Sequence, residues 1–189
     1  MTQRREAAAI DQQLWEQGVT LLAAVGTNAP QQVRERLVAA AERYASLKAN
    51  MLAVTLAAGS DATCRSCNGQ CCHNGKYRLS GFDLLAHLAL GRPLPKPDFL
   101  RKPDCPYGTP DGCCMAPAMR PLDCVVFICS ALEARLDEQG RLTLANAERE
   151  LRQIVARSEE ALKLRLGKPL LLLAEQAPSI SGQNQHVPT

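Results

Sequence analysis

A chain of 189 residues with 46% hydrophobic content has apolar material for a cored domain, so its nine cysteines are not needed as staples to make folding possible. A net charge of +3, from 22 basic against 19 acidic residues with no basic block, and an aromatic content of 4% supply neither a basic face nor stacking platforms, which argues against a nucleic-acid binder. No apolar run reaches the roughly 18–20 residues of a membrane span, and the opening Met1-Thr-Gln-Arg-Arg-Glu leads only to a brief apolar stretch before Asp11 and Gln12, so the expectation is a cytoplasmic protein without a membrane span.

Residues 1–60 read as an N-terminal helical region. A first helix is expected over about 5–25, with Ile10, Leu14, Leu21 and Val25 on one face and Gly26-Thr-Asn28 after it. A second begins at Pro30, with Asn28 a candidate cap. It carries Val33, Leu37, Ala40, Tyr44, Leu47, Met51, Val54 and Ala58 at alternating spacings of four and three, and Gly59-Ser60 ends it. The expected arrangement is two helices packed antiparallel on the core. The sharper alternative is a dimerising hairpin, or a flank that contacts a protein partner.

Residues 61–130 hold every cysteine. A short helix from Ser80 to Leu90 interrupts them, opened by a capping box of Ser80 and Asp83 and stopped by Gly91. Arg92-Pro-Leu-Pro-Lys-Pro97 is extended, since its prolines forbid helix, and residues 108–112 form a turn. With only one short helix, this region's own apolar core looks thin. Residues 131–176 form a C-terminal helical region, with a helix over about Ala147–Leu166 capped by Asn146 and closed by Gly167-Lys-Pro169. Its inner face is Leu151, Ile154, Ser158, Ala161 or Leu162, and Leu166. Residues 177–189 have the composition of a disordered tail. The fold class expected is mainly α, with N- and C-terminal helices packed on a loop-rich, cysteine-ligated metal-binding centre.

In a reducing compartment clustered thiols are ligands rather than disulfides. The order is Cys64-x2-Cys67-x3-Cys71-Cys72, then Cys105, Cys113-Cys114, Cys124 and Cys129. A C-x2-C turn lets two sulfurs converge on one ion. Adjacent cysteines such as Cys71 and Cys72 pair poorly with each other, because a disulfide wants Cα atoms about 5.5 Å apart, so they can serve two metals or two edges of one cluster.

Cys64-Arg-Ser-Cys67-Asn-Gly-Gln-Cys71-Cys72, then Cys105-Pro106, then Cys114-x5-Arg120-Pro121-x2-Cys124-x4-Cys129, resembles the YkgJ-type eight-cysteine family of zinc- or iron-chelating domains, shared with flagellin lysine N-methylases. The resemblance spans residues 64–129 and implies a metal ligand set of Cys64, Cys67, Cys71, Cys72, Cys105, Cys114, Cys124 and Cys129, with Cys113 the extra thiol. The chain departs from the family at Met115-Ala-Pro117, where an apolar-aromatic pair is usual, and at Val125, where Arg is common.

Four thiolates on one Zn²⁺, or on a [4Fe–4S]²⁺ core, leave a charge of about −2, and two such sites about −4, which needs nearby cations or amide donors. Arg65, Arg78 and Arg120 are the candidates, and the resemblance favours Arg120 as the residue beside the cofactor. His73 follows Cys72 and reads as a neighbour rather than a ligand, and His87 as a packing residue. Asp61, Asp104, Asp111 and Asp123 read as turn residues.

Two functions remain open. One is a metal-binding module, serving electron transfer or as a scaffold, that holds an iron–sulfur cluster or Zn²⁺; the crowding of thiols tips the choice toward iron–sulfur. The alternative is a cluster-dependent enzyme related to protein lysine N-methylases, against which stands the lack of a glycine-rich nucleotide loop, a P-loop or a G-x-S-x-G elbow.

Overall fold

A computed structural model describes residues 2–67, 70–73, 75–101, 104–109 and 112–176. The fold is mainly α, as expected. Helices α1 (Thr2–Asn28) and α2 (Gln31–Ala57) are followed by α3 (Ser60–Ser66), α4 (Gly81–Ala89), α5 (Leu122–Val126), α6 (Ser130–Glu133), α7 (Glu138–Leu162) and α8 (Leu170–Glu175). A minimal antiparallel hairpin, β1 (Gly108–Thr109) with β2 (Gly112–Cys113), closes the 108–112 turn.

Helix α2 follows its stripe closely. Leu37, Tyr44, Leu47 and Met51 are buried, with Ala41, Lys48 and Thr55 beside them, and Gly59 ends the helix with φ 83°. That stripe is consumed inside the chain, which favours core packing over a dimerising hairpin. Asn28, however, is the last residue of α1 and caps nothing; Pro30 stands at the N-cap of α2. In α1 the buried line is Ala8, Asp11, Gly18 and Leu22, while Ile10 is 59% exposed. Of the expected face, Leu14 and Leu21 pack half-buried against the core and only Ile10 is exposed. Full burial falls on the adjoining line, where a Cβ on Gly18 would stand 2.7 Å from Leu170, so the glycine admits α8. The two N-terminal helices also do not pair along their length. Instead α1 packs on α8 and α4, and α2 on α7 and α4.

Helix α7 starts nine residues before the expected Ala147. Asp137 is its cap, accepting from the Gly140 amide at 2.6 Å, and Asn146 lies within the helix. The apolar stripe begins at Leu144, earlier than Leu151, and Lys163 ends the helix in a left-handed conformation before Leu166. Arg43 and Glu150 join α2 to α7 across an exposed 2.6 Å ion pair.

The expectation of a thin centre is overturned. Helix α4 sits in the middle of the molecule, where Leu79, Phe82, Leu84, Leu85 and Ala86 are all at most 2% exposed. They share one core cluster with Leu37, Tyr44 and Met51 of α2, Leu151 and Val155 of α7, and Tyr107, Met115, Met119, Leu122 and Val125 from the cysteine region. Burial of each large side chain is worth about 1.5–3 kcal/mol. The helix was legible only as an isolated element because every face of it is covered: Ser80 and Asp83 form the expected capping box, and the Gly81 and Phe82 amides donate to Lys168 and Leu166 carbonyls at 2.9 and 2.8 Å. The expected tail, 177–189, lies outside the described residues.

Candidate metal centre

The cysteines are delivered by short elements at one side of this core. Cys64 lies on α3 and Cys67 follows it; a 3-10 turn, Gln70–Cys72, carries Cys71 and Cys72. Cys113 is on β2 with Cys114 after it, Cys124 is on α5, and Cys129 stands at the N-cap of α6. All nine thiols are free. Cys64, Cys71, Cys72, Cys113, Cys114 and Cys124 are exposed, and Cys67, Cys105 and Cys129 are half-buried.

The thiols act on one another. Burial and then Cys71, Cys67 and Cys129 raise Cys64, while Arg120 opposes them. Burial and then Cys71, which is also hydrogen-bonded to it, push Cys72 up to about 12, with Cys105 and Cys64 adding to the rise. Cys105 is raised by burial, Cys113 and Cys114, against the Tyr107 amide and Arg101. Cys124, although part of its surface reaches solvent, is strongly raised by crowding protein, then by Cys105 and Asp83, against Arg78. These influences link all nine sulfurs into one chain of neighbours. Even so, among the described residues no group of three His, Cys, Asp or Glu side chains stands close enough to hold a metal ion. Cys113 acts on Cys105, Cys114 and Cys124, and Cys114 acts on Cys105, so both members of the pair influence other thiols.

Glycine shapes one of these approaches. A Cβ on Gly75 would fall 2.7 Å from the Cys105 Sγ, so only glycine lets the 75–77 turn close on that thiol. Lys76 of the same turn is tied to buried Asp11 of α1 at 2.9 and 3.1 Å.

Cations surround the sulfurs, though not all the expected ones. Arg120 faces Cys64, and Arg78 faces Cys124 while donating to the Cys71 carbonyl at 3.3 Å. Arg65 instead pairs with Asp61 at 2.7 Å on the exposed side of α3. Arg101, which the sequence did not single out, faces Cys105. The Nε atoms of Arg101 and Arg120 are buried with no hydrogen-bond partner among the described residues, so each is a candidate donor to a bound acceptor. A donor set made of thiols, ringed by guanidinium groups with unspent donors, suits an anionic thiolate–metal centre. His73 reaches Asp104 at 3.5 Å, so it bridges two loops, and His87 is buried with Nδ1 2.8 Å from the Pro93 carbonyl.

Beneath the centre lies a buried polar hub. The Asp83 carboxylate accepts from Tyr44 Oη at 2.9 Å, Lys48 Nζ at 3.2 Å, Ser80 N and Oγ at 3.1 and 2.7 Å, and the Leu122 amide at 3.1 Å. Lys48 Nζ also donates to the Arg120 carbonyl at 2.6 Å and lies 4.3 Å from the Tyr44 ring centroid. The Lys48 and Asp83 side chains are 1% and 0% exposed. Burial lowers Lys48 and Asp83 works against that, while Lys48 in turn feels Cys124. Sequence reasoning found Asp83 only as a cap. The missed signal was a lysine four residues after Tyr44, inside an otherwise apolar stripe.

No protein-family model, no curated protein and no solved structure matches this chain.

Proposed function

We propose that this chain is a metal-binding cysteine-cluster module that holds an iron–sulfur cluster or Zn²⁺ through Cys64, Cys67, Cys71, Cys72, Cys105, Cys114, Cys124 and Cys129, and that serves electron transfer or acts as a scaffold. One observation carries the reading: nine free thiols act on one another at one side of the core, faced by arginines of which two have buried Nε donors without partners among the described residues. Crowded thiols that hinder one another's ionisation, as at Cys64, Cys72, Cys105 and Cys124, are poor company in the absence of a metal; a metal turns the same crowding into a ligand set.

A bound cluster would supply one-electron chemistry, and zinc would supply structural charge alone. The chain's own residues would do the rest. The thiolates hold the group, Arg120, Arg101 and Arg78 offset its charge, and the exposed sulfurs keep it near a surface that a protein partner can approach. Partner contact would involve the helical flanks, whose exposed large apolar side chains are Ile10, Val38, Leu56 and Leu142.

The test is anaerobic purification followed by metal and sulfide analysis with an optical spectrum. Iron and sulfide with a broad band near roughly 400 nm would establish the cluster. A colourless protein with stoichiometric zinc would establish the other arm. A protein that retains neither, and takes up neither when reconstituted, refutes the reading.

A further inference from the structure

The Lys48–Asp83 ion pair is fully enclosed, its side chains 1% and 0% exposed, and neither residue is one of the thiols' sequence neighbours. A buried pair of this kind adds little net stability, because desolvating both charges offsets their attraction, so its presence calls for another account. Its geometry supplies one. The pair grips a single short segment from both ends: Lys48 holds the Arg120 carbonyl and Asp83 the Leu122 amide. That segment carries Arg120, which faces Cys64, and leads directly into α5 with Cys124. Tyr44, on the same helix as Lys48, and Ser80, at the N-cap of Asp83's own helix, fix the carboxylate further. Lys48 also brings its ammonium near Cys124, which Asp83 and Arg78 influence in opposite senses.

We propose that Lys48 and Asp83 are positioning residues of the metal centre: they clamp residues 120–124 so that Arg120 and Cys124 meet the remaining thiols, and Lys48 offsets the charge gathered at Cys124. The inference rests on the metal-binding reading above. It assigns to two residues outside the cysteine segments a direct share in metal affinity, and it makes the α2–α4 core the platform against which the 120–124 segment is set.

The test uses the full chain, reduced and metal-free, titrated with Zn²⁺ in competition with a chromophoric chelator. Lys48→Met alone would leave the Asp83 carboxylate unpaired and endanger folding, so the variant is Lys48→Met/Asp83→Asn, which removes both charges and retains an amide oxygen for Tyr44 and Leu122. Zn²⁺ affinity is expected to fall about 10- to 100-fold, the range for groups that orient metal ligands from outside the coordination sphere. Amide exchange over 119–126 in the metal-free protein is expected to quicken while α7 stays protected. Leu151→Ala, a core truncation far from the segment in sequence, serves as the destabilised control and is expected to keep wild-type affinity. A double variant that binds Zn²⁺ like wild type, unchanged exchange over 119–126, or an equal affinity loss in Leu151→Ala each overturns the inference alone. A wild-type chain that takes up neither Zn²⁺ nor, on anaerobic reconstitution, iron and sulfide overturns the metal reading, and the inference with it; where only iron and sulfide load, the same comparison of variants is read from their content.

Discussion

Stripping the metal should divide the cysteine region into two parts with opposite fates. A site absent from the unfolded chain contributes its binding free energy to stability, on the order of 10 kcal/mol for structural zinc. That contribution falls on segments with little else to hold them. Over 60–73 the only buried residue described is Thr63, and the described residues of the 108–114 hairpin have none. Residues 79–87 are the reverse case. Leu79, Phe82, Leu84 and Leu85 are at most 2% exposed, each worth about 1.5–3 kcal/mol by burial, and the capping box and the Leu166 and Lys168 carbonyls fix their backbone. Hydrogen exchange with and without chelator, read peptide by peptide, is the assay. Amides over 60–73 and 112–114 should lose protection on chelation, those over 82–89 should keep theirs, and the helical circular dichroism should fall only by the share of the short helix α3. Simultaneous loss over 82–89 and 60–73 would show that the core does not hold the centre of the molecule. Unchanged exchange over 60–73 would show that no metal was supporting it.

Asp83→Ala should cost about 3–5 kcal/mol in urea unfolding, because it strands the Lys48 charge and the donors of Tyr44, Ser80 and Leu122; a loss under about 1 kcal/mol would refute the hub as drawn. Gly75→Ala should cost about 1–3 kcal/mol through the contact with Cys105 and should lower metal content, measured by unfolding and metal analysis together. Cys114→Ser should lower metal content sharply and Cys113→Ser should leave it nearly unchanged; equal losses would make Cys113 a ligand, as its closeness to Cys105 and Cys124 allows. The metal-free protein should lose stability as pH rises from about 9 toward 12. Cys72 keeps its proton in the fold after the unfolded chain has released it, so the folded state binds more protons in that window and alkali favours unfolding. Buried Tyr44 shifts the same way. A urea midpoint that is flat between pH 8 and 10.5 under reducing conditions contradicts this.

What could be read from the sequence was local. The α2 stripe, the Ser80–Asp83 box and the Gly59 and Gly91 stops are carried by residues within a few positions of one another, and they stand where periodicity and capping put them. The misses are tertiary. The face of α1 is only partly legible: Leu14 and Leu21 pack on the core, but the fully buried line beside them is set by α8, whose Leu170 needs the glycine at position 18, and nothing near Ile10 signals that. The start of α7 was placed late because Asn146 offers a plausible cap, but Asp137 offers one too, and Leu144 extends the buried stripe back toward it. The centre looked thin because α4 is short. Brevity is no measure of burial when α1, α2 and α8 all close on the same nine residues.

The candidate centre divides along the same line. Thiol spacing is a sequence property, so the cysteines could be named from their order, whereas the charges that make such a cluster tolerable are spatial. Of the three arginines that spacing suggested, Arg65 is spent on Asp61, four residues away, which is the pairing a helix surface encourages. Arg101 stands only four residues before Cys105, which it faces, whereas Lys48 reaches Cys124 from the middle of α2, and only the folded chain brings it there. Lys48 is the sharper case. By composition it breaks an apolar stripe and should weaken α2's packing, yet its Nζ finds the Asp83 carboxylate and the Arg120 carbonyl. A charge buried at such cost, with its partners drawn from α4 and from the segment entering α5, is better understood as fixing one backbone stretch than as adding stability. The stretch it fixes is the one that carries Arg120 and Cys124 to the thiols.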